Sequence, residues 1–159
     1  YICKFITEND NMLRSKDEIF MQAALDEAAK ASAKKEVPVG AVVVCNDTII
    51  ARAHNLTETL KDPTAHAEMQ AITAAANWLG GKYLNDCTIY VTLEPCAMCA
   101  AAIGWSHASR LVYGADDEKK GFTTITGQLL HPKTRVVKGV REKACSELIL
   151  QFFKSRRLV

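Results

Sequence analysis

At 159 residues the chain suits one domain with a single core. Its 48% hydrophobic, 24% charged and 7% aromatic residues exclude a disordered or fibrous chain and predict a mostly aliphatic core. A net charge of +2 is too small to imply a nucleic-acid partner by itself. The charge is unevenly placed, however: between Arg135 and Arg157 seven basic residues face only Glu142 and Glu147.

The opening Tyr1–Asn11 is polar and without period, so residues 1–11 read as an extension and residues 12–159 as one domain. It lacks the basic-then-apolar plan of a secretory signal, and the apolar stretch Cys96–Trp105 is half what a bilayer crossing needs, which predicts a cytoplasmic protein off the membrane. From Lys16 to Lys34, Phe20, Ala24, Leu25, Ala28 and Ala31 recur at helical spacing in a run free of glycine. Val39–Cys45 and Thr48–Arg52, joined by Asn46-Asp47, read as a hairpin.

Asp62-Pro63-Thr64 reads as a helix start with His66 in the first turn, and Gly80-Gly81 as its end. Thr88–Thr92 is a buried strand, Pro95 introduces a helix over Cys96–Trp105, and Arg110–Tyr113 and Arg135–Val140 are further strands. Gly114–Thr134 is an irregular connection long enough to be functional, and a helix over Glu142–Arg156 closes the chain. The class is α/β, with a mixed five-stranded sheet covered by helices on both faces.

Chemistry concentrates in two short runs. His66-Ala67-Glu68 is followed, 26 residues later, by Pro95-Cys96-Ala97-Met98-Cys99. One imidazole and two thiolates, with a fourth position left to water, is the plan of a catalytic zinc site. Cys96 and Cys99 lie three residues apart at a helix N-terminus, where the helix dipole favours thiolate. Cys3, Cys45, Cys87 and Cys145 read as plain thiols, although Cys87 or His107 could serve as a fourth ligand in a purely structural site.

Glu68 follows the ligand His66 by two positions, which diverge on a regular helix, so both reach one centre only if His66 is at an irregular helix start. There the carboxylate can take a proton from zinc-activated water and hand it to a leaving amine, acting as base and then acid.

His-x-Glu with Pro-Cys-x-x-Cys is the signature of zinc nucleobase deaminases. Val37–Val42, Asp62–Glu68 and Tyr90–Cys96 closely resemble the bacterial tRNA adenosine deaminase family, within the zinc-dependent cytidine/deoxycytidylate deaminase superfamily, and the resemblance runs from Phe20 to Arg157. It implies a three-layer α/β/α cytidine-deaminase-like fold, one Zn2+ per chain, a homodimer, and conversion of the wobble adenosine of a tRNA anticodon (A34) to inosine. Deamination of a free base or nucleoside such as guanine or cytosine is the alternative.

By the same resemblance Asn55 meets the target base or sugar, Val39 forms a pocket wall, and Asp117 lies on a loop near the anticodon. Phe152, Phe153, Arg156 and Arg157 resemble the family's RNA-contacting tail, rings supporting splayed bases and arginines meeting phosphates. An amphipathic closing helix with its phenylalanines in the core is the plainer reading of that tail. His54, next to Asn55 on a strand, faces the opposite side. Phe122-Thr123-Thr124-Ile125 departs from the small-residue sequence usual in the family.

Overall fold

The computed structural model describes the backbone of residues 2–157 and the side chains of residue 12 and residues 16–157. With neither glycine nor proline to stop it, α1 runs Ile2–Ala33, starting well before the Lys16 that periodicity marks. It is followed by the hairpin β1 (Gly40–Cys45) and β2 (Thr48–His54), a single turn α2 (Thr57–Leu60), α3 (Ala67–Leu79), β3 (Cys87–Leu93) and α4 (Ala97–Ser106). β4 (Arg110–Ala115), a 3-10 turn at Phe122–Thr124, β5 (Arg135–Lys138) and α5 (Glu142–Arg156) complete the chain.

The sheet order is β2-β1-β3-β4-β5, with β1 antiparallel to both neighbours and β3, β4 and β5 mutually parallel. Alternation along the strands sorts the core into two layers. Ala41, Val43, Ile89, Val91, Leu111 and Tyr113 pack with α3 and α4, while Val42, Val44, Tyr90 and Val112 pack with Met21, Ala24 and Leu25 of α1 and Cys145 of α5. This is the α/β/α sandwich with a five-stranded mixed sheet. Asn46 and Asp47 both take positive φ, as a tight two-residue hairpin requires.

One close approach fixes how α1 sits: a Cβ on Gly40 would collide with the carbonyl oxygen of Ala24, so only glycine lets the helix lie against the start of β1. At the other end of the sheet, Arg110 binds Asp17 through both nitrogens at 2.6 Å and Tyr90 donates to the same carboxylate at 2.8 Å, tying α1 to β3 and β4.

Two helix starts differ from the sequence pattern. Asp62-Pro63-Thr64 closes a turn of its own, the Asp62 carboxylate accepting from the Thr64 amide and hydroxyl at 2.8 and 2.7 Å, so α3 begins only at Ala67 and His66 is its N-cap. Likewise α4 begins at Ala97, leaving Cys96 as an extended N-cap. β4 also runs to Ala115, two residues beyond the predicted end.

Candidate active site

The ends of four strands set the position of the site. Gly40 at the start of β1 pairs with His54 at the end of β2, and Leu93 pairs with Ala115 at the ends of β3 and β4. The segments leaving that end carry Val39, Asn55, His66, Glu94, Cys96 and Asp117. Ligands of α/β sheets gather at the carboxyl ends of the parallel strands in the same way. A cavity of about 840 Å3 lies at the opposite end, around Lys16, Asp17, Tyr90 and Arg110, away from these residues.

Two N-caps face each other. His66 and Cys96 both have extended backbone (ψ 155° and 171°) and neither caps its helix with its own side chain, which leaves imidazole and thiol free to turn inward. The Nδ1 atom of His66 stands 3.7 Å from Cys96 Sγ and 3.5 Å from Cys99 Sγ. A tetrahedral zinc with its usual bond lengths to nitrogen and sulfur separates such ligands by about 3.6 Å. The donor set therefore fits zinc in both chemistry and spacing. Among the described residues it is the only group of three or more histidine, cysteine or acidic side chains close enough to hold a metal, and neither Cys87 nor His107 belongs to it. Cys45, Cys87 and Cys145 are free thiols, as read from the sequence; the Cys3 side chain lies outside the described residues.

Electrostatics prepare these groups for a cation. The Cys99 thiol, helped by His66, lowers Cys96 to about 4, so Cys96 is thiolate at neutral pH. Cys99 is pushed up by its hydrogen bond to Cys96 and then by burial, since the two sulfurs share one proton until a metal replaces it. His66 is raised chiefly by the Cys96 thiolate beside it.

Glu68, 4% exposed, occupies the second position of α3. Because His66 is an extended cap and not a helical residue, the two side chains need not diverge. Burial raises the Glu68 carboxyl, offset in part by its own amide and by His66. A carboxyl whose neutral form is favoured by burial, beside a metal triad, has the chemistry for moving protons.

Asn55 is buried, and its side-chain oxygen accepts the Ala67 N–H at 2.9 Å, performing the capping that His66 forgoes. The Asn55 backbone N–H donates to the Val39 carbonyl at 3.1 Å, which ties the two predicted substrate residues together.

A model of the cytidine and deoxycytidylate deaminase zinc-binding region matches residues 14–115. The chain is 45% identical over 148 residues to the tRNA-specific adenosine deaminase of Bacillus subtilis (strain 168), covering 90% of this chain and 92% of that protein. It belongs to the tRNA-specific adenosine deaminase family. A solved structure from a study of A-to-I editing by tRNA:A34 deaminases at the wobble position superposes with a TM-score of 0.75 at 43% identity, over 81% of this chain and 97% of that one. The guanine deaminase of Bacillus subtilis gives a TM-score of 0.60 at 41% identity, over 62% and 64% of the two chains. Both hydrolytic deamination and the zinc cofactor follow from membership of the tRNA-specific adenosine deaminase family.

The remaining sequence-predicted residues are not members of the metal triad. Asp117 spends its carboxylate on the backbone amides of Lys119 and Lys120, at 3.1 and 3.0 Å, and so shapes its own turn. Phe152 is buried, as the plainer reading of the tail has it, whereas Phe153 is 44% exposed with its ring edge-on to Phe152. Arg156 lies over the Phe152 ring and donates to the Lys35 carbonyl at 2.6 Å, and Arg157 is exposed. The Arg156 link to Lys35, four residues before Val39, seats the end of α5 at the site end of the sheet.

Two carboxylates escaped the sequence reading. Glu36 accepts from the amides of Glu58 and Thr59 and the hydroxyls of Thr57 and Thr59, at 2.7 to 3.2 Å, and so holds the segment between β2 and α3. Glu94 accepts from the Asp117 amide at 2.9 Å and from the Thr123 amide and hydroxyl at 3.0 and 2.7 Å. The departure at Phe122–Ile125 thus supplies a hydroxyl that Glu94 binds. The only signal for either carboxylate was its place beside a motif, Glu36 before Val37-Pro38 and Glu94 before Pro95-Cys96.

Proposed function

We propose that this chain converts the wobble adenosine of a tRNA anticodon loop to inosine, with release of ammonia. His66, Cys96 and Cys99 would hold one zinc, which when bound supplies Lewis-acid activation of water. Glu68 takes the proton that water gives up and delivers it to the departing amine, so its carboxylate is restored at the end of the cycle. Asn55 offers its amide nitrogen to the base or sugar, its oxygen being committed to Ala67. Val39 forms the pocket wall, and Asp117 presents the loop 117–123 to the RNA. The exposed Phe153 supports a splayed base from the platform of Phe152, while Arg156 and Arg157 meet phosphates.

The observation that carries this reading is the convergence of His66, Cys96 and Cys99 within 4.8 Å beside the buried Glu68. The proposal includes a homodimer, supported by the side chains of Trp78 and Trp105 left exposed on the α3 and α4 side, Trp105 to 81%. It includes a cytoplasmic location with the tRNA, and residues 1–11 as an extension of the domain that spans residues 12–159. No helix among the described residues is long and apolar enough to cross a membrane.

The test is ammonia release by purified protein from anticodon stem-loop RNAs and, separately, from guanine, cytosine and adenosine. Release from the stem-loop alone is the expected result. Release from a free base alone would replace the RNA reading with a small-substrate one.

A further inference from the structure

His54 and Asn55 are consecutive at the exit of β2 and point to opposite layers. Asn55 caps α3, whereas the His54 ring enters a polar row on α1. There its Nδ1 lies 2.8 Å from Oε2 of Glu27, its Nε2 lies 3.1 Å from the Lys34 ammonium, and Lys30 binds the other Glu27 oxygen at 2.7 Å. An ammonium has only donors, so Nε2 accepts and Nδ1 carries the proton that goes to Glu27. The partners thus fix the tautomer and the plane of the ring. The Glu27 side chain is 5% exposed and that of His54 13%, so the row is shielded from water at its centre.

The His54 backbone is held just as firmly from the other layer. Its carbonyl accepts the side-chain amide of Gln70, on the second turn of α3, at 2.8 Å, and Gln70 also donates to Ala65 at 3.1 Å. Ring and carbonyl together leave the peptide joining His54 to Asn55 little freedom. The Asn55 oxygen is thereby aimed at Ala67, the residue between His66 and Glu68.

We propose that His54, clamped between Glu27 and Lys34, is a positioning residue for deamination: it sets Asn55 and, through the cap on Ala67, the first turn of α3 that presents His66 and Glu68. This rests on the reading of that turn as the deamination site. His54 itself touches neither substrate nor metal in this scheme. Groups that orient ligand-bearing elements are commonly worth roughly 10- to 100-fold in activity or metal affinity.

The experiment compares His54→Asn with His54→Gln in the full-length zinc-loaded protein. Asparagine places its amide nitrogen where Nδ1 stands and keeps the donor to Glu27; glutamine reaches the Nε2 position and leaves Glu27 without it. Hydrogen exchange at the Ala67 amide is read alongside kcat and KM on an anticodon stem-loop. The expected result is Ala67 exchange within about threefold of wild type in H54N and accelerated roughly tenfold or more in H54Q, with kcat/KM falling by a similar factor only in H54Q. Glu27→Leu should match H54Q, and the H54Q/E27L double variant should be no worse than either single, as for members of one coupled chain.

Equal behaviour of H54N and H54Q, or unchanged Ala67 exchange and kinetics in a folded H54Q, would overturn the proposal and leave His54 as packing. If wild-type protein itself fails to deaminate the RNA, the functional reading falls, and Ala67 exchange still decides the positioning claim.

Discussion

Glu68 at the head of α3 and Glu36 just after α1 are both buried carboxylates, and the structure treats them in opposite ways. Glu36 receives four donors from residues 57–59; burial alone would raise its carboxyl, but the Thr59 and Glu58 amides and the threonine hydroxyls outweigh burial and hold it below the ordinary range. Glu68 has its own amide and the neighbouring His66 and Cys99 to set against burial, and its carboxyl rises. A saturated carboxylate cannot give or take a proton cheaply and is suited to holding a loop. One whose few donors do not outweigh burial, beside a metal triad, is suited to exchanging protons. Donor count therefore separates the proposed proton carrier from the carboxylate that holds a loop where burial does not.

Isosteric replacement of Glu68 puts that contrast to its hardest test. Glu68→Gln removes the proton carrier while keeping shape, so turnover should fall by about 100-fold or more while one zinc per chain is retained. Because the folded site disfavours the charged form, the substitution should leave thermal stability unchanged or raise it slightly. Turnover assays, elemental analysis and a melting curve on one preparation decide the matter. Near-normal turnover would move the proton shuttle to another group.

Glu36→Gln should do the reverse. It turns one acceptor oxygen into a donor facing other donors, at a cost of about 1–3 kcal/mol of stability. Catalysis should change only as far as the 56–61 segment loosens. The sign with pH follows from the lowered carboxyl. Its stabilising contribution is fully present above the ordinary value of 4.5 and is lost as pH falls through the lower folded value. Urea midpoints of wild type and variant should differ at neutral pH and converge as pH drops below 4.5. A gap that widens on acidification would mean that Glu36 is not held as a carboxylate.

The same comparison explains what the sequence disclosed. Glu68 was legible because its neighbours in the chain, His66 and later Cys96 and Cys99, form a spaced pattern with chemical meaning. Strands were legible from apolar, β-branched runs bounded by turn residues, and helices from periodic spacing such as that of the glycine-free run in α1. Glu36 and Glu94 were not, because their partners lie 21 to 29 residues away and become neighbours only when the sheet brings loop ends together. The α3 start was misplaced for a related reason. Its cap comes from Asn55, twelve residues upstream, and local capping rules expect Thr64 to supply it.

The tail of α5 is the region where the smallest effect is expected, and where geometry changes the size of the prediction. Arg156 and Arg157 look equivalent in the sequence, and removing two phosphate contacts would lower the salt dependence of RNA binding by about two counterions. In the folded chain, however, Arg156 is stacked on Phe152 and bonded to the Lys35 carbonyl, so part of its donor set is already spent. Arg157 makes no such commitment among the described hydrogen bonds. Arg157→Ala should therefore weaken stem-loop binding and reduce the salt slope by about one, with zinc content and stability untouched. Arg156→Ala should instead lower the melting temperature as well, because it releases the end of α5 from the Lys35 turn. Binding isotherms over a salt series, paired with melting curves, separate the two arginines. Identical slopes in wild type and Arg157→Ala would take the tail out of the RNA interface while leaving the metal site and Glu68 where they stand.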